Sequence, residues 1–212
     1  MKRILVIERE YGAGGSVIAE KAAQRLGWKL LDQQLTESIA RLAKVSPEDC
    51  AKRQERMDPW LYRLSKVFWR GSHERSVEFV DADVLDSDCL IHFTKKVLEE
   101  AAEAGNCVIV GRAAPYYLRK RHDKYCVFLY APRDYRFHRV MGDVKDEAKA
   151  VDLVDNVDAE RAEFIKHYFG VQWPSRPLYD CMLNTSIGDD ATVETILHLM
   201  DQANQREAAI KS

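Results

Sequence analysis

The chain has 212 residues, 46% hydrophobic and 31% charged, the balance of a soluble globular protein with one domain-sized core. Its formal net charge of −2 gives no general attraction to nucleic-acid polymers or to membrane surfaces. The five cysteines (Cys50, Cys89, Cys107, Cys126, Cys181) form no C-x-x-C pair, which excludes a zinc ribbon and a disulfide framework and points to a reducing, cytoplasmic setting.

The first element is the apolar run Ile4–Ile7, which is rich in β-branched residues and reads as a buried parallel strand. It is too short for a signal peptide or a membrane span. A glycine turn, Gly12-Ala13-Gly14-Gly15, follows, and Ser16 opens a helix over Val17, Ile18, Ala22, Ala23 and Leu26 that Gly27 closes. Trp28–Asp32 is a second strand ending in an acid. Leu35, Ile39 and Leu42 mark a helix, and Ser46-Pro47 and Asp58-Pro59 read as helix starts. Residues 58–86 mix Trp60, Tyr62, Phe68, Trp69 and Phe79 with basic residues. They suit a helical hairpin with inward aromatics better than a substrate flap.

Leu90 to Ala102 form an amphipathic helix ended by Gly105. Cys107–Gly111 is a third strand, followed at once by Arg112. Pro115 begins a helix over Tyr116–Leu118, Tyr125–Tyr130 is a fourth strand, and the helix after Pro132 carries Arg136 and Arg139. A charged, helix-favouring stretch runs from about Asp143 to Gly170. Cys181–Thr185 is the fifth strand. Val193, Ile196, Leu197 and Met200 place the last helix, with a frayed tail expected after Asn204. Short apolar strands alternating with helices predict an α/β fold: a three-layer α/β/α domain with a five-stranded parallel sheet.

A strand, a glycine turn and a helix together aim backbone N–H groups at an anion, and the glycines let the backbone approach it. Arg9, Gly12, Ala13, Gly14, Gly15 and Ser16 are therefore the candidate nucleotide-binding set, with the Ser16 hydroxyl as the candidate ligand for Mg²⁺. The standard P-loop, G-x-x-x-x-G-K-[ST], is altered. Aligned on Gly14 and Ser16, its lysine falls on Gly15 and its first glycine on Arg9. In parallel sheets ligands sit beyond the carboxyl ends of the strands. The polar residues there are Arg9, Asp32, Gly111-Arg112, Arg133 to Arg139, and Asn184-Thr185, a set suited to a phosphorylated ligand. Each has a plainer reading: a solvated face for Arg136 and Arg139, a salt bridge for Arg112, a helix cap for Asp158. The six dispersed histidines show no metal-ligand spacing.

Gly12-Ala13-Gly14-Gly15, Val110-Gly111-Arg112-Ala113, Asp158-x-x-Arg161 with Tyr168 and Trp173, and Tyr179-Asp180-x-x-x-Asn184-Thr185 together resemble the cytidylate kinase-like family, related to P-loop nucleoside monophosphate kinases. The resemblance covers nearly the whole chain and is weakest from Pro47 to Asp86. It implies one P-loop kinase-like domain over 1–212, with a helical substrate-binding insert at about 33–88 and a lid at about 140–176. It implies substrate-binding roles for Asp32, Gly111 and Arg112. It also implies catalytic roles for Arg112, Arg136, Arg139 and Arg161, the last three closing over transferring phosphates. The acids that flank the Gly-Arg pair in true cytidylate kinases are here Val110 and Ala113.

The expected activity is ATP- and Mg²⁺-dependent phosphoryl transfer to a nucleoside monophosphate, CMP or dCMP foremost, or to another small phosphorylated substrate, by a monomer or homodimer. Arg9 stands next to the loop and is the candidate substitute for the missing lysine. One rival is a nucleotide-binding sensor or partner module without turnover. Another is a Rossmann dinucleotide binder, since Asp32 follows Gly12 by twenty positions. That pattern's third glycine would be Val17, and it leaves the arginines from Arg133 to Arg161 without a use.

Overall fold

The computed structural model describes residues 1–32 and 87–211. The helix starts expected at Ser46 and Asp58, the aromatic-basic stretch, and the expected insert up to residue 86 lie outside the described residues.

Five parallel strands form one sheet in the order β2-β3-β1-β4-β5: β1 (Ile4–Arg9), β2 (Lys29–Leu31), β3 (Cys107–Val110), β4 (Lys124–Tyr130) and β5 (Cys181–Asn184). The helices are α1 (Gly15–Leu26), α2 (Ser87–Ala104), α3 (Ala114–Tyr117), α4 (Arg133–Val144), α5 (Glu147–Phe169) and α6 (Asp189–Lys211). The central strand β1 has a neighbour on each side, so its backbone is paired along both edges and both its faces are covered. Side chains alternate across it. Ile4 and Val6 pack with Ile109, Leu31, Phe93 and Leu98 on the α2 side, while Leu5 and Ile7 pack with Ile18, Ala22, Val127 and Ile196 on the α1–α6 side. Each fully buried aliphatic side chain contributes about 1.5–3 kcal/mol.

The structure departs from the sequence reading at three places. First, β1 runs two residues past Ile7, because β4 continues to pair with it at Glu8↔Phe128 and Arg9↔Leu129. That pairing draws a carboxylate and a guanidinium into the interior. Second, the helix of the charged stretch starts at Glu147 rather than near Asp143, which still belongs to α4. Lys145 adopts a left-handed φ of 55° that ends α4, and Asp146 caps α5 by accepting from the Lys149 N–H at 3.1 Å. Asp158 is therefore inside α5 and caps nothing. Third, the tail does not fray at Asn204. The Lys2 N–H donates to Asn204 Oδ1 at 2.6 Å, and Glu207 pairs with Lys2 and the chain's amino group, so α6 continues to Lys211.

Candidate active site

Gly14, with φ 80°, caps α1 without a side-chain hydrogen bond, and the first helical bond runs from Ile18 N to Gly14 O at 3.0 Å. The first turn of α1 thus presents N–H groups that no helical carbonyl accepts, a ready site for anionic oxygens. Ser16, half-buried, is its second residue. Gly12 and Gly14 are held by positive φ and by close neighbours, and Gly15 by its neighbour alone. A Cβ on Gly12 (φ 81°) would stand 2.9 Å from the Arg136 carbonyl oxygen, and one on Gly14 would stand 2.6 Å from Arg139 Cζ. A Cβ on Gly15 would stand 2.7 Å from Arg9 Cγ and 3.0 Å from Cδ. The slot that holds lysine in the standard loop is occupied by the stem of Arg9.

The Arg9 side chain then continues to the next strand. Its Nη1 would be 2.1 Å from a Cβ on Gly111, so a side chain there would push the Arg9 head aside. Gly111, Arg112 and Ala113 are three successive left-handed residues, with φ of 62°, 60° and 53°. For the two that carry a Cβ this costs about 1–3 kcal/mol each, a strain that clusters at functional sites. The tight turn closes through Ala114 N to Gly111 O at 3.0 Å and puts the Arg112 guanidinium inside the protein. Arg9, Arg112 and Arg161 are 2%, 3% and 5% exposed, so three guanidinium groups meet in one buried place. They line a narrow cleft with Glu8, Ile165 and Trp173. Burial, then the nearby Arg9 and Arg161, bring Arg112 down to about 9 against the pull of Asp32, which leaves it charged at neutral pH. Asp32 is buried just past β2, and its Oδ1 has no hydrogen-bond partner among the described residues.

The remaining arginines are anchored. Arg136 donates through Nε to the Ala131 carbonyl and through Nη1 to the Tyr11 carbonyl, both at 3.1 Å. Arg161 Nη1 donates to the Arg9 carbonyl at 2.8 Å. Arg139, lying over Gly14, makes a two-pronged pair with Asp189 at 2.9 Å on each prong. Arg133 pairs with Asp155 on the exposed side of α4 and α5. Asn184 accepts from Ser186 N–H, and the buried Thr185 hydroxyl donates to the Tyr130 carbonyl at 3.5 Å. These two shape the turn after β5 and are not part of the arginine cluster. The structure therefore brings Arg9, Gly15, Gly111, Arg112 and Arg161 together, with Asp32 beside Arg112 and Arg139 at the loop. Sequence reasoning missed three of the acids beside these cations, Glu8, Glu10 and Asp189, and named Asp158 only as a motif member and a helix cap. The alternation Glu8-Arg9-Glu10 at the end of an apolar strand was the available signal.

Glu8 is 3% exposed and sits on the face of β1 opposite Arg9's stem. Burial pushes its carboxyl above the usual range, against the opposing pull of Arg9 and Arg161. It acts electrostatically on Tyr116, whose hydroxyl burial pushes up to about 12, and on Tyr179. A carboxyl whose folded pKa lies above its unfolded one makes stability fall as pH rises from about 4.5 toward the folded value. Glu8→Gln should remove that slope, so the urea midpoint of the variant gains on the wild type as pH rises from 4 to 7. Parallel midpoint curves for the two proteins would contradict the buried acid.

No cluster of three His, Cys, Asp or Glu side chains able to hold a metal occurs among the described residues. Ser16 could supply one hydroxyl to Mg²⁺, with phosphate oxygens and water supplying the rest, which suits an ion that keeps several waters. No described helix is long and apolar enough to cross a membrane.

A parallel sheet of this order, with a glycine loop between its first strand and first helix, is the P-loop kinase fold. An uncharacterized protein from Eubacterium ventriosum is similar at TM-score 0.65 and 20% identity, over 94% of this chain and 99% of that one. A gluconokinase from Sinorhizobium meliloti is similar at TM-score 0.57 and 11% identity over the whole of both chains. Shikimate kinase from Acinetobacter baumannii, solved with shikimate, is similar at TM-score 0.52 and 16% identity over 96% and 95%. At such identities the likeness is one of fold. The chain belongs to the cytidylate kinase-like family, which it matches over residues 4–187. No curated protein matches it.

Proposed function

We propose that this protein transfers the γ-phosphoryl group of ATP to a small phosphorylated acceptor, with CMP and dCMP the first candidates. The observation that carries the reading is the path of Arg9. It runs from the glycine loop at Gly15 to the Gly111-Arg112 turn, so a fixed positive charge joins the donor side of the site to the acceptor side. Phosphoryl transfer asks for positioning and charge neutralisation more than covalent chemistry. In this reading the N–H groups of Gly12 to Ser16 bind the β- and γ-phosphates, and Arg9 supplies the charge of the absent lysine. The Ser16 hydroxyl would hold magnesium, which when bound would supply positive charge to neutralise the phosphates. An oxygen of the acceptor's phosphate attacks the γ-phosphorus, the bond to the β-bridging oxygen breaks, and ADP leaves. Arg112 holds the acceptor phosphate, and Arg161 and Arg139 balance charge on the transferring group. Arg136 serves from behind the loop, through the Tyr11 carbonyl. The segment at about 140–176 would serve as the lid over the transferring phosphates.

A second reading, nucleotide binding without turnover, draws on the acids. Asp158 and Asp189 hold Arg136, Arg161 and Arg139 in ion pairs. An ADP-release assay over CMP, dCMP, UMP and small phosphorylated metabolites, set beside ATP calorimetry, separates the two. Turnover on a member of the panel supports the kinase. Binding of ATP with no turnover on any acceptor supports the sensor.

A further inference from the structure

Asp158 lies in the interior of α5, and its carboxylate gathers three donors from three parts of the chain. The Tyr11 N–H reaches Oδ1 at 2.9 Å and Oδ2 at 3.2 Å, Arg161 Nη1 reaches Oδ1 at 2.9 Å, and Arg136 Nη1 reaches Oδ2 at 3.1 Å. The two guanidinium groups also hold the carbonyls on either side, Arg161 that of Arg9 and Arg136 that of Tyr11. The backbone entering the glycine loop is thus gripped at the Arg9 carbonyl, the Tyr11 N–H and the Tyr11 carbonyl by a unit centred on one carboxylate, with Glu10 3.4 Å from Arg136 as a second acid. On the phosphoryl-transfer reading, we propose that Asp158 is a positioning residue for the donor-phosphate loop: it sets where the N–H groups of Gly12 to Ser16 stand relative to Arg9.

The role follows from charge. A carboxylate is repelled by phosphate, so Asp158 acts on the nucleotide through the loop backbone. Charge-assisted hydrogen bonds are short and directional, which fixes a register that an amide would hold weakly. Removing the charge takes one acid away from the buried Arg161 and the partly buried Arg136 and leaves Glu10, 3.4 Å from Arg136, to face the two cations. A misplacement of about 1 Å at such a site costs up to about a hundredfold. Asp155, one helical turn earlier, is the natural control, because it pairs with the exposed Arg133.

The test is binding of magnesium and a non-hydrolysable ATP analogue to the full chain by calorimetry, for wild type, Asp158→Asn, Asp158→Glu and Asp155→Asn. Hydrogen exchange of the peptide spanning Tyr11 is read in parallel. Both Asp158 variants should bind about tenfold or more weakly and exchange faster at Tyr11, with Asp155→Asn unchanged. Folded Asp158 variants that bind like wild type overturn the proposal, even if their melting temperature falls, since a mere strut would lower only the latter. If Asp158→Asn does not fold, Asp158→Glu, which keeps the charge and moves it by one methylene, decides alone. A wild type that binds no analogue overturns this proposal together with the phosphoryl-transfer reading. Binding by wild type with unaffected variants overturns the positioning role only.

Discussion

Gly15→Lys, which writes the standard P-loop lysine back into the chain, is expected to lower turnover by at least about a hundredfold. The reason is occupancy. Any Cβ at residue 15 meets Arg9 Cγ at 2.7 Å, and Arg9 is 2% exposed with no room to retreat toward Gly111. The variant displaces the native cation before lysine can replace it, and overpacking of this kind costs about 1–3 kcal/mol in addition. The companion experiment is the double variant Arg9→Gly, Gly15→Lys. It reproduces the full G-x-x-x-x-G-K-S pattern from residue 9 to residue 16 and should recover ATP affinity to within about tenfold of wild type. Calorimetry with ATP and an ADP-release assay read both. A single variant as active as wild type, or a double variant no better than the single, would show that Arg9 and Gly15 do not share one slot.

Arg112→Ala is expected to lower turnover by about a hundredfold to a thousandfold while leaving the urea midpoint near that of wild type. Arg112 is buried beside two other guanidinium groups, so its removal relieves repulsion as well as losing a counter-charge for Asp32. Strain and charge can be told apart here. Arg112→Gly removes the Cβ from a residue at φ 60° and should be the more stable of the two variants, yet equally inactive. Activity retained in either variant would discard the acceptor role.

Much of the fold was legible, since five apolar runs between helical patterns leave few alternatives to a covered parallel sheet. The loop was legible as well, both as a strand-glycine-helix turn and as a P-loop lacking its lysine. What the sequence could not show is where the Arg9 side chain goes. Arg9 precedes the loop by a few residues, but its side chain crosses to β3, more than a hundred positions away. The left-handed turn at Gly111–Ala113 was hidden for a related reason: Arg112 and Ala113 are not residues that announce positive φ, and only the surrounding structure holds them there. Glu8 looked like an ordinary charge until pairing with β4 buried it, and Asp158, named only from its motif and as a helix cap, is turned toward the loop by α5.

The most direct test is a crystal structure with magnesium and a non-hydrolysable ATP analogue. The β- and γ-phosphates should lie against the N–H groups of Gly12 to Ser16, with the Arg9 guanidinium within hydrogen-bonding distance of the γ-phosphate. Phosphates bound elsewhere, or bound in the loop with Arg9 turned away from them, would contradict the assignment of that arginine to the lysine's work.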